Sequence, residues 1–355
     1  MASVVSRLHK KGLINPPDWL PVNIHYEAVI GSVAYGVSED FSDMDVYGFC
    51  IPKKDMIFPH LRGEIPGFGR QIKRFEQYQQ HHINDKDVGK EYDLTIYNIV
   101  KYFQLCMDNN PNMIDSLFVP DNCVLSITRI GNIVRENRKE FLHKGSWHKF
   151  KGYAYSSLHK AENRTHEGLD KLMTFERQND IPHQVSLVDI NKYLNEEPSH
   201  ESLSKLTIGS VYEYKRLYER VLKSSSRAEK VKFTNGVDRK FLYHTVRLTS
   251  EVEQILTEGD LDLQRNREQL KAIRRGEMTH EECRQWFSSK EKELEKLYNT
   301  SKLQHSPDED RIKSILLNCL EEHYGTLDNC IVDPGRAVQA LREVQEVLNR
   351  NKNLL

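Results

Sequence analysis

The feature that most constrains the fold of this chain is a short segment with two polar ends, Gly31-Ser32 and Ser42-Asp43-Met44-Asp45. Residues 27–30 before it and residues 46–51 after it are short apolar runs, which indicate two strands joined by a turn. Asp43 and Asp45 are two positions apart, so both carboxylates lie on one face of an extended strand. Both carboxylates would then aim at one point, as a divalent-cation site requires, the alternative being two solvated residues.

This arrangement suits phosphate chemistry. A Gly-Ser pair at a strand end lets a phosphate approach the backbone, and the serine donates hydrogen bonds to it. The two acids can hold Mg²⁺ while substrate phosphates complete its coordination, and a third carboxylate on a neighbouring strand allows a second ion. Asp93 is the best candidate for that third acid, because it lies in the strand-like residues 88–96. Nearby alternatives are Asp85, Asp87 and Glu91.

The ordered set of motifs resembles a known superfamily. Gly31-Ser32, followed by Ser-Asp-x-Asp at 42–45, is similar to the signature of the DNA polymerase beta nucleotidyltransferases. The finer pattern, Gly-Ser-x-Ala-Tyr-Gly at 31–36 with Ser-Asp-x-Asp-x-x-Gly at 42–48 and a proline just after the second strand, resembles the RNA-repair-associated members, which are found beside RNA ligases. The likeness covers residues 24–160 well and residues 239–277 more loosely.

The resemblance implies an α+β fold, in which a polymerase-beta-like core of a small mixed sheet flanked by helices precedes a mainly α-helical C-terminal region. It implies that a nucleoside monophosphate passes from a nucleoside triphosphate to an acceptor hydroxyl, with Mg²⁺ or Mn²⁺ and pyrophosphate release. The residues that it assigns to metal ions and catalysis are Asp43, Asp45 and Asp93. The residues that it assigns to the triphosphate are Gly31, Ser32 and Ser42.

Two predicted helices carry cations at three- or four-residue spacing, and hence on one face. The first face holds Lys149, Tyr153, Ser156 or Ser157, and Lys160, and the second holds Lys240, His244 and Arg247. Fixed cations stabilise the charge of a leaving pyrophosphate. We therefore expect Lys160, Lys240, His244 and Arg247 to contact the triphosphate, the alternative being solvated basic faces.

Residues 52–86 lack a regular pattern and predict a long loop. Basic and aromatic side chains alternate between residues 60 and 82: Arg62, Phe68, Arg70, Lys73, Arg74, Phe75, Tyr78, His81 and His82. Aromatic rings stack bases and cations meet phosphates, so this loop is the predicted contact for a polynucleotide. The alternative is an ordinary charged surface loop.

Breaks in the pattern suggest three regions. We expect a catalytic domain over residues 1–145, a helical domain over 146–280 and a helical extension over 281–355. Residues 165–238 are polar and contain Pro182 and Pro198, so they predict an insertion or a flexible excursion.

Composition limits the class of protein. The formal net charge of −1 excludes a strongly basic chain, so nucleic acid would bind only at local patches. The six cysteines show neither zinc-site nor disulfide spacing, which predicts a reduced, cytoplasmic protein. No apolar run has the length of a membrane span and the N-terminus lacks a signal-peptide pattern. The oligomeric state is left open.

The acceptor is the least constrained part of the hypothesis. The resemblance favours RNA, either tRNA or a cleaved RNA end. A protein hydroxyl would instead give a protein-AMPylating or toxin-type enzyme, and a small molecule would give an antibiotic-modifying type. A non-catalytic nucleic-acid-binding module is a third alternative, but it would require loss of a carboxylate, and all three acids are present.

Overall fold

The computed structural model describes residues 3–38, 43–65, 67–69, 74–163, 168–224, 232, 238–326, 341 and 343–348. The chain divides into two compact units, residues 1–142 with 306–355, and residues 143–305. We describe each unit by itself. The three-region division predicted above stays a prediction, because a compact unit need not coincide with an independently folding domain.

The first unit contains five strands and several short helices. The strands are β1 (Ile24–Val29), β2 (Met44–Cys50), β3 (Gln77–Asp85), β4 (Lys90–Asn98) and β5 (Val124–Ile127). The helices are α1 (Val4–Lys10), α2 (Lys54–Ile57), α3 (Ile99–Met107), α4 (Pro111–Phe118) and α5 (Arg129–Glu136). Single 3-10 turns lie at Leu20–Val22, Pro59–Arg62, Asp121–Cys123 and Arg138–Phe141.

The five strands form one mixed sheet in the order β3-β4-β2-β1-β5. Strand β2 runs parallel to β4, whereas the other neighbouring pairs are antiparallel. Two parallel strands need a long connection, and the chain between β2 and β4 is long enough to cross over and return to the sheet. The predicted α+β fold with a polymerase-beta-like core is confirmed.

The two faces of the sheet are packed differently. Val46 and Leu94 face α1, where they join the apolar side chains of Val5 and Leu8 in one buried cluster. The buried Glu27 carboxylate of β1 accepts hydrogen bonds from the first backbone amides of that helix, and thereby caps it. Alternate residues of β2, beginning with Asp45, lie on the other face of the sheet.

Two strands were not predicted from the sequence. The supposed loop at 52–86 contains β3, whose sequence QYQQHHIND lacks an apolar alternation because one of its faces is exposed. Strand β5 consists of only 4 residues, too few for a clear strand pattern. Both strands lie at the edges of the sheet, where few side chains are buried and the apolar signal is weak.

The first unit also includes a helix from the end of the chain, α13 (Glu309–Tyr324). His323 Nδ1 lies 3.1 Å from Nε2 of His25 on β1. The other His25 nitrogen, Nδ1, lies 2.9 Å from the Thr128 hydroxyl. Burial, and secondly the charge of His323, lower the pKa of His25 to about 4.

This histidine pair predicts an acid-sensitive contact. The His25 pKa is lower in the folded than in the unfolded chain, so stability is lost as pH falls from about 6.5 towards 4. Between pH 7.5 and 5.0 we expect His25 to reduce the free energy of unfolding by at most about 2 kcal/mol. Urea unfolding at both values measures it. In His25→Asn the loss of unfolding free energy between pH 7.5 and 5.0 should be smaller by this amount. If the unfolding free energy of the variant changes with pH as in the parent protein, the assignment is contradicted.

The second unit is helical. Its helices are α6 (Ser146–Asn163), α7 (Leu169–Gln178), α8 (Leu187–Leu194), α9 (Ile208–Ser224), α10 (Arg239–Glu258), α11 (Arg267–Arg275) and α12 (His280–Thr300), with a 3-10 turn at Glu201–Lys205. Helices α7, α8 and α9 bury a cluster of their own that includes Leu172, Ile190 and Tyr214. A flexible excursion is therefore wrong for residues 168–224. Their apolar residues are widely spaced in a polar segment, so the sequence pattern did not reveal this core.

Two further predictions concern the end of the chain and membranes. Towards the end of the predicted helical extension over 281–355, residues 341 and 343–348 are described and are helical. Within the described ranges, no helix combines the length and the apolar character needed to cross a membrane.

Candidate active site

The turn after β1 brings the backbone against a carboxylate of β2. Ile30 donates its amide to the Asp45 carbonyl at 2.8 Å, and Gly31 then turns the chain with φ +72°. A Cβ on Gly31 would lie 2.6 Å from Asp45 Oδ2. Glycine therefore meets two requirements here, a left-handed backbone and close approach to the acid.

Residues after Gly31 form a compact turn held by local hydrogen bonds. The amide of Tyr35 donates to the Gly31 carbonyl at 3.1 Å, and that of Val37 donates to the Ser32 carbonyl at 2.9 Å. The Tyr35 hydroxyl reaches Asp115 Oδ2 on α4 at 2.6 Å. The sheet and α4 thus fix the position of Ser32, which is half-buried.

Two of the predicted acids are direct neighbours in the sheet. Asp45 on β2 is the register partner of Asp93 on β4. Partners on adjacent parallel strands are separated by about 4.8 Å between backbones, and their side chains lie on the same face. Asp43 is exposed and immediately precedes β2. The raised pKa of His82 comes first from its hydrogen bond with Glu91, and the charge of Asp43 is a minor cause.

An irregularity in the edge strand β3 surrounds Asp93 with hydrogen-bond donors. Gln80 pairs with Leu94 and Ile83 pairs with Tyr92, so both His81 and His82 lie opposite Asp93. This is a β-bulge, and His82 has a positive φ of 55°. The His82 amide donates to Asp93 Oδ1 at 2.8 Å, and His81 Nδ1 lies 3.2 Å from Asp93 Oδ2.

The tautomer of His81 follows from its other neighbour. The Gln79 amide nitrogen, which can only donate, lies 2.7 Å from His81 Nε2. His81 Nε2 therefore accepts a hydrogen bond, and Nδ1 carries the proton that it donates to Asp93. Both Asp93 oxygens thus have one donor each and keep a second lone pair, as do metal-binding carboxylates in proteins.

The nearby acids that were considered as alternatives to Asp93 have other partners. The buried Asp85 carboxylate binds Arg7 at 2.6 Å and Lys11 at 2.7 Å, and these cations lower its pKa. Asp87 is exposed and also binds Lys11. Glu91 accepts from His82 Nδ1 at 2.6 Å, and this hydrogen bond is the first cause of the raised pKa of His82.

The residues present fit a divalent cation. His82, Glu91 and Asp93 offer ligand atoms that all lie within 4.8 Å of one another. The carboxylates of Asp43, Asp45 and Asp93 are hard oxygen donors, which suit both Mg²⁺ and Mn²⁺. A Cβ on residue 31 would clash with Asp45 Oδ2, so glycine is what allows the backbone of this turn to approach that carboxylate.

An aromatic residue adjoins the acids on the same face. Tyr47, two residues after Asp45, has a raised pKa, first through burial and then through the charges of Asp45 and Asp93. Hydrogen bonds with Asn112 and Thr95 act in the opposite direction. The Tyr47 ring meets that of Tyr97 edge-on, with centroids 6.1 Å apart. These contacts hold the Tyr47 side chain in place beside the acids.

The cationic residues predicted to contact the triphosphate lie in the second unit. Lys160 is exposed, with Nζ 6.0 Å from the centre of the Phe241 ring. Lys240 is exposed at the start of α10, and His244 stacks on Tyr243 with centroids 4.3 Å apart.

Arg247 differs from the other three because it is buried. Its Nη1 binds both carboxylate oxygens of Glu251, at 2.9 and 3.0 Å. This carboxylate offsets the arginine charge within α10. The triphosphate role of all four cations stays a prediction.

Strand β3 occupies part of the loop that was predicted to contact a polynucleotide. Phe75 packs edge-on against Trp19, with centroids 4.9 Å apart, and Tyr78 also packs against the sheet core. These two rings are therefore used for packing rather than for stacking bases. Phe68 is 75% exposed.

Other residues of these predictions fall outside the described part of the chain. They are Ser42, Arg70 and Lys73, together with the side chain of Arg62. His81 and His82 were assigned to the loop, whereas the structure places them against Asp93. Only the pairing of β3 with β4 reveals this contact, although two consecutive histidines near acidic residues were a usable signal.

One comparison with known proteins matches part of the chain to a family. Residues 12–177 match the model of a family described as the RNA repair pathway DNA polymerase beta family. This stretch contains the turn after β1 and the acids of β2 and β4. The comparisons with curated proteins and with solved structures give no match.

Proposed function

We propose, on the premise that residues 12–177 belong to the RNA repair pathway DNA polymerase beta family, that this protein transfers a nucleoside monophosphate from a nucleoside triphosphate to an RNA hydroxyl. Family membership supports nucleotidyl transfer in general. The choice of RNA as acceptor rests on the family description. The observation that carries the chemistry is the register pairing of Asp45 with Asp93, with Gly31 against the Asp45 carboxylate.

The turn after β1 would bind the triphosphate. Gly31 brings backbone close to the acids, and Ser32 offers an amide and a hydroxyl to phosphate oxygens. Asp43, Asp45 and Asp93 would hold Mg²⁺, or Mn²⁺ in its place. Such ions, when bound, lower the pKa of an attacking hydroxyl and stabilise the charge of the leaving group.

The residues around Asp93 would orient its carboxylate. The His82 amide and the His81 imidazole each hold one of its oxygens, so the remaining lone pairs point away from β3. Ligating carboxylates in proteins are usually held by such outer hydrogen bonds. A fixed Asp93 would keep the acceptor hydroxyl in line with the α-phosphorus, and this positioning contributes much of the rate enhancement in phosphoryl transfer.

The reaction itself is a substitution at phosphorus. The acceptor oxygen forms a bond to the α-phosphorus, while the bond from that phosphorus to the α–β bridging oxygen breaks. Pyrophosphate leaves with the bonding electrons, and the hydroxyl proton is released to solvent.

The test of this function is an acceptor screen. Each of the four nucleoside triphosphates, labelled at the α-phosphate, is incubated with the full chain and Mg²⁺. The acceptors are tRNA, RNA cleaved to give defined ends, a mixture of proteins and small aminoalcohols. We expect label on RNA. Label on protein would indicate an AMPylating enzyme, label on an aminoalcohol would indicate a small-molecule enzyme, and no label anywhere would contradict nucleotidyl transfer.

A further inference from the structure

Helix α6 presents a broad exposed face in the second unit. Its inner side packs on α10, where Thr245 Oγ1 donates to the Ala154 carbonyl at 3.3 Å, and on α12, where Lys151 binds Glu291 at 2.5 Å. The outer side carries His148, Lys149, Gly152, Tyr153, Ser156, His159 and Lys160. Lys149, Gly152, Tyr153, Ser156 and Lys160 follow one another at three- or four-residue spacing, and hence form a stripe along the helix.

The charge of this face has one sign. The chain has 52 acidic residues among 355, yet none lies between Glu140 and Glu162. A surface helix normally mixes acidic and basic residues on its solvent side. Lys149 and Lys160 on the outer face have no acid at a neighbouring position of the face to offset them. Their potential therefore favours a negatively charged partner.

One aromatic ring stands out from the same stripe. Tyr153 is 49% exposed and lies between Lys149 and Lys160, whereas Tyr155, two residues further along the helix, projects from another side. Exposed aromatic side chains between cations are typical of surfaces that bind single-stranded nucleic acid, because bases stack on the rings while the cations meet phosphates.

The glycine at position 152 is the evidence that a partner contacts α6 closely. It lies inside α6 with an ordinary helical backbone, where glycine is less favourable than alanine. A Cβ at this position would meet nothing within 4 Å, so the packing of the protein itself does not require glycine. The absence of a side chain instead opens the helix surface between Lys149 and Tyr153, where the backbone of a partner can approach.

We propose that this α6 face docks the RNA acceptor, with Lys149 and Lys160 at its phosphates, Tyr153 against one of its bases, and the strand lying closest at Gly152. The inference rests on the proposed function for the choice of acceptor. RNA is the partner that matches both features of the face, since an acidic protein would use the cations but not the stacking ring.

The sharpest test is Gly152→Ala in the full chain. Affinity for a fluorescent single-stranded RNA of defined sequence is measured by anisotropy, and the melting temperature is measured on the same sample. We expect the melting temperature to rise by about 2–4 °C, because alanine favours the helix. We expect the Kd for RNA to increase about fivefold, as for the loss of one hydrogen bond. A variant that is more stable yet binds less tightly cannot be explained by misfolding.

Matched control variants distinguish an effect of the α6 face on RNA binding from a general effect of substitution. Gly209→Ala changes another exposed helical glycine, whose Cβ would only make an ordinary 3.9 Å contact with Thr207, and it should leave the Kd unchanged. Lys149→Gln should reduce the slope of log Kd against log salt by about 0.7–0.9, whereas the exposed control Lys302→Gln should not. Tyr153→Leu should weaken binding at least about fivefold through lost stacking.

The outcomes distinguish this inference from the proposed function. If label is transferred to RNA but Gly152→Ala, Lys149→Gln and Tyr153→Leu bind RNA like the parent protein, the docking face is wrong and the function stands. If the variants weaken RNA binding but no label is transferred, the face is correct and the function is wrong. If the three variants instead lose binding to an acidic protein and retain RNA, the choice of partner is overturned.

Discussion

Replacing Asp45 by asparagine is expected to lower the rate of nucleotidyl transfer by a factor of about 10³ or more, with little change in stability. Asparagine has the size of aspartate but lacks its charge, so the ion that neutralises the triphosphate would be held weakly. Asp93→Asn should have an effect of similar size, because Asp93 is the register partner of Asp45. Single-turnover rates with α-labelled triphosphate and saturating RNA measure both variants.

The control for these substitutions is another acid of the same unit. Asp87 is 77% exposed and binds Lys11 at 2.8 Å, away from the pairing of Asp45 with Asp93. Asp87→Asn changes the net charge by the same amount and should leave the rate of transfer unchanged. Equal rates for Asp45→Asn and Asp87→Asn would show that the paired carboxylates take no part in the reaction.

The second large effect is expected at the turn after β1. Gly31→Ala places a Cβ 2.6 Å from Asp45 Oδ2 in a backbone with φ +72°. The carboxylate must move or the turn must open, and a displacement of about 1 Å in a catalytic group can cost about 10²-fold in rate. The left-handed backbone adds a loss of stability of about 1–2 kcal/mol. Transfer rates and urea unfolding measure the two effects separately.

Gly89→Ala is the matched control for that variant. Gly89 has φ +61°, but a Cβ there would meet nothing within 4 Å. The substitution should therefore reproduce the loss of stability without the loss of activity. If Gly89→Ala lowers the rate as much as Gly31→Ala does, strain alone accounts for the effect, and the contact between Gly31 and Asp45 has no role in it.

Much of the candidate site could be predicted because its parts are local. Asp45 lies on β2 and Asp43 immediately precedes that strand, so their spacing alone keeps the two acids close, and Gly31 precedes them by a short stretch of chain. The apolar runs around these residues indicate β1 and β2 directly. Local spacing also suggested that Asp93 lies on a strand, but it did not determine which strand is adjacent.

The remaining contacts depend on pairing between distant segments. The register of Asp45 with Asp93 requires the crossover from β2 to β4. The contacts of His81 and His82 with Asp93 require the bulge in β3, a polar edge strand whose sequence resembles a loop. A shift of one residue in that pairing would reverse which side chains face the acids, and sequence periodicity does not fix such a register.

The core of the helical unit was not predicted for a different reason. Residues 168–224 appear polar because most of their helical surface is exposed, while a few apolar residues per helix form the core. The return of α13 to the first unit depends on contacts such as that of His25 with His323, which are separated by most of the chain. Neither feature is visible within a short sequence window.

The most direct test of the central claim measures both products of one reaction. The full chain is incubated with RNA, Mg²⁺ and α-labelled nucleoside triphosphate, and the label in RNA and the free pyrophosphate are quantified together. We expect one pyrophosphate for each labelled nucleotide joined to RNA, and the loss of both products in Asp45→Asn and Asp93→Asn. Label in RNA that persists in both variants, or no label in RNA with the parent protein, would contradict the assignment of these acids to nucleotidyl transfer.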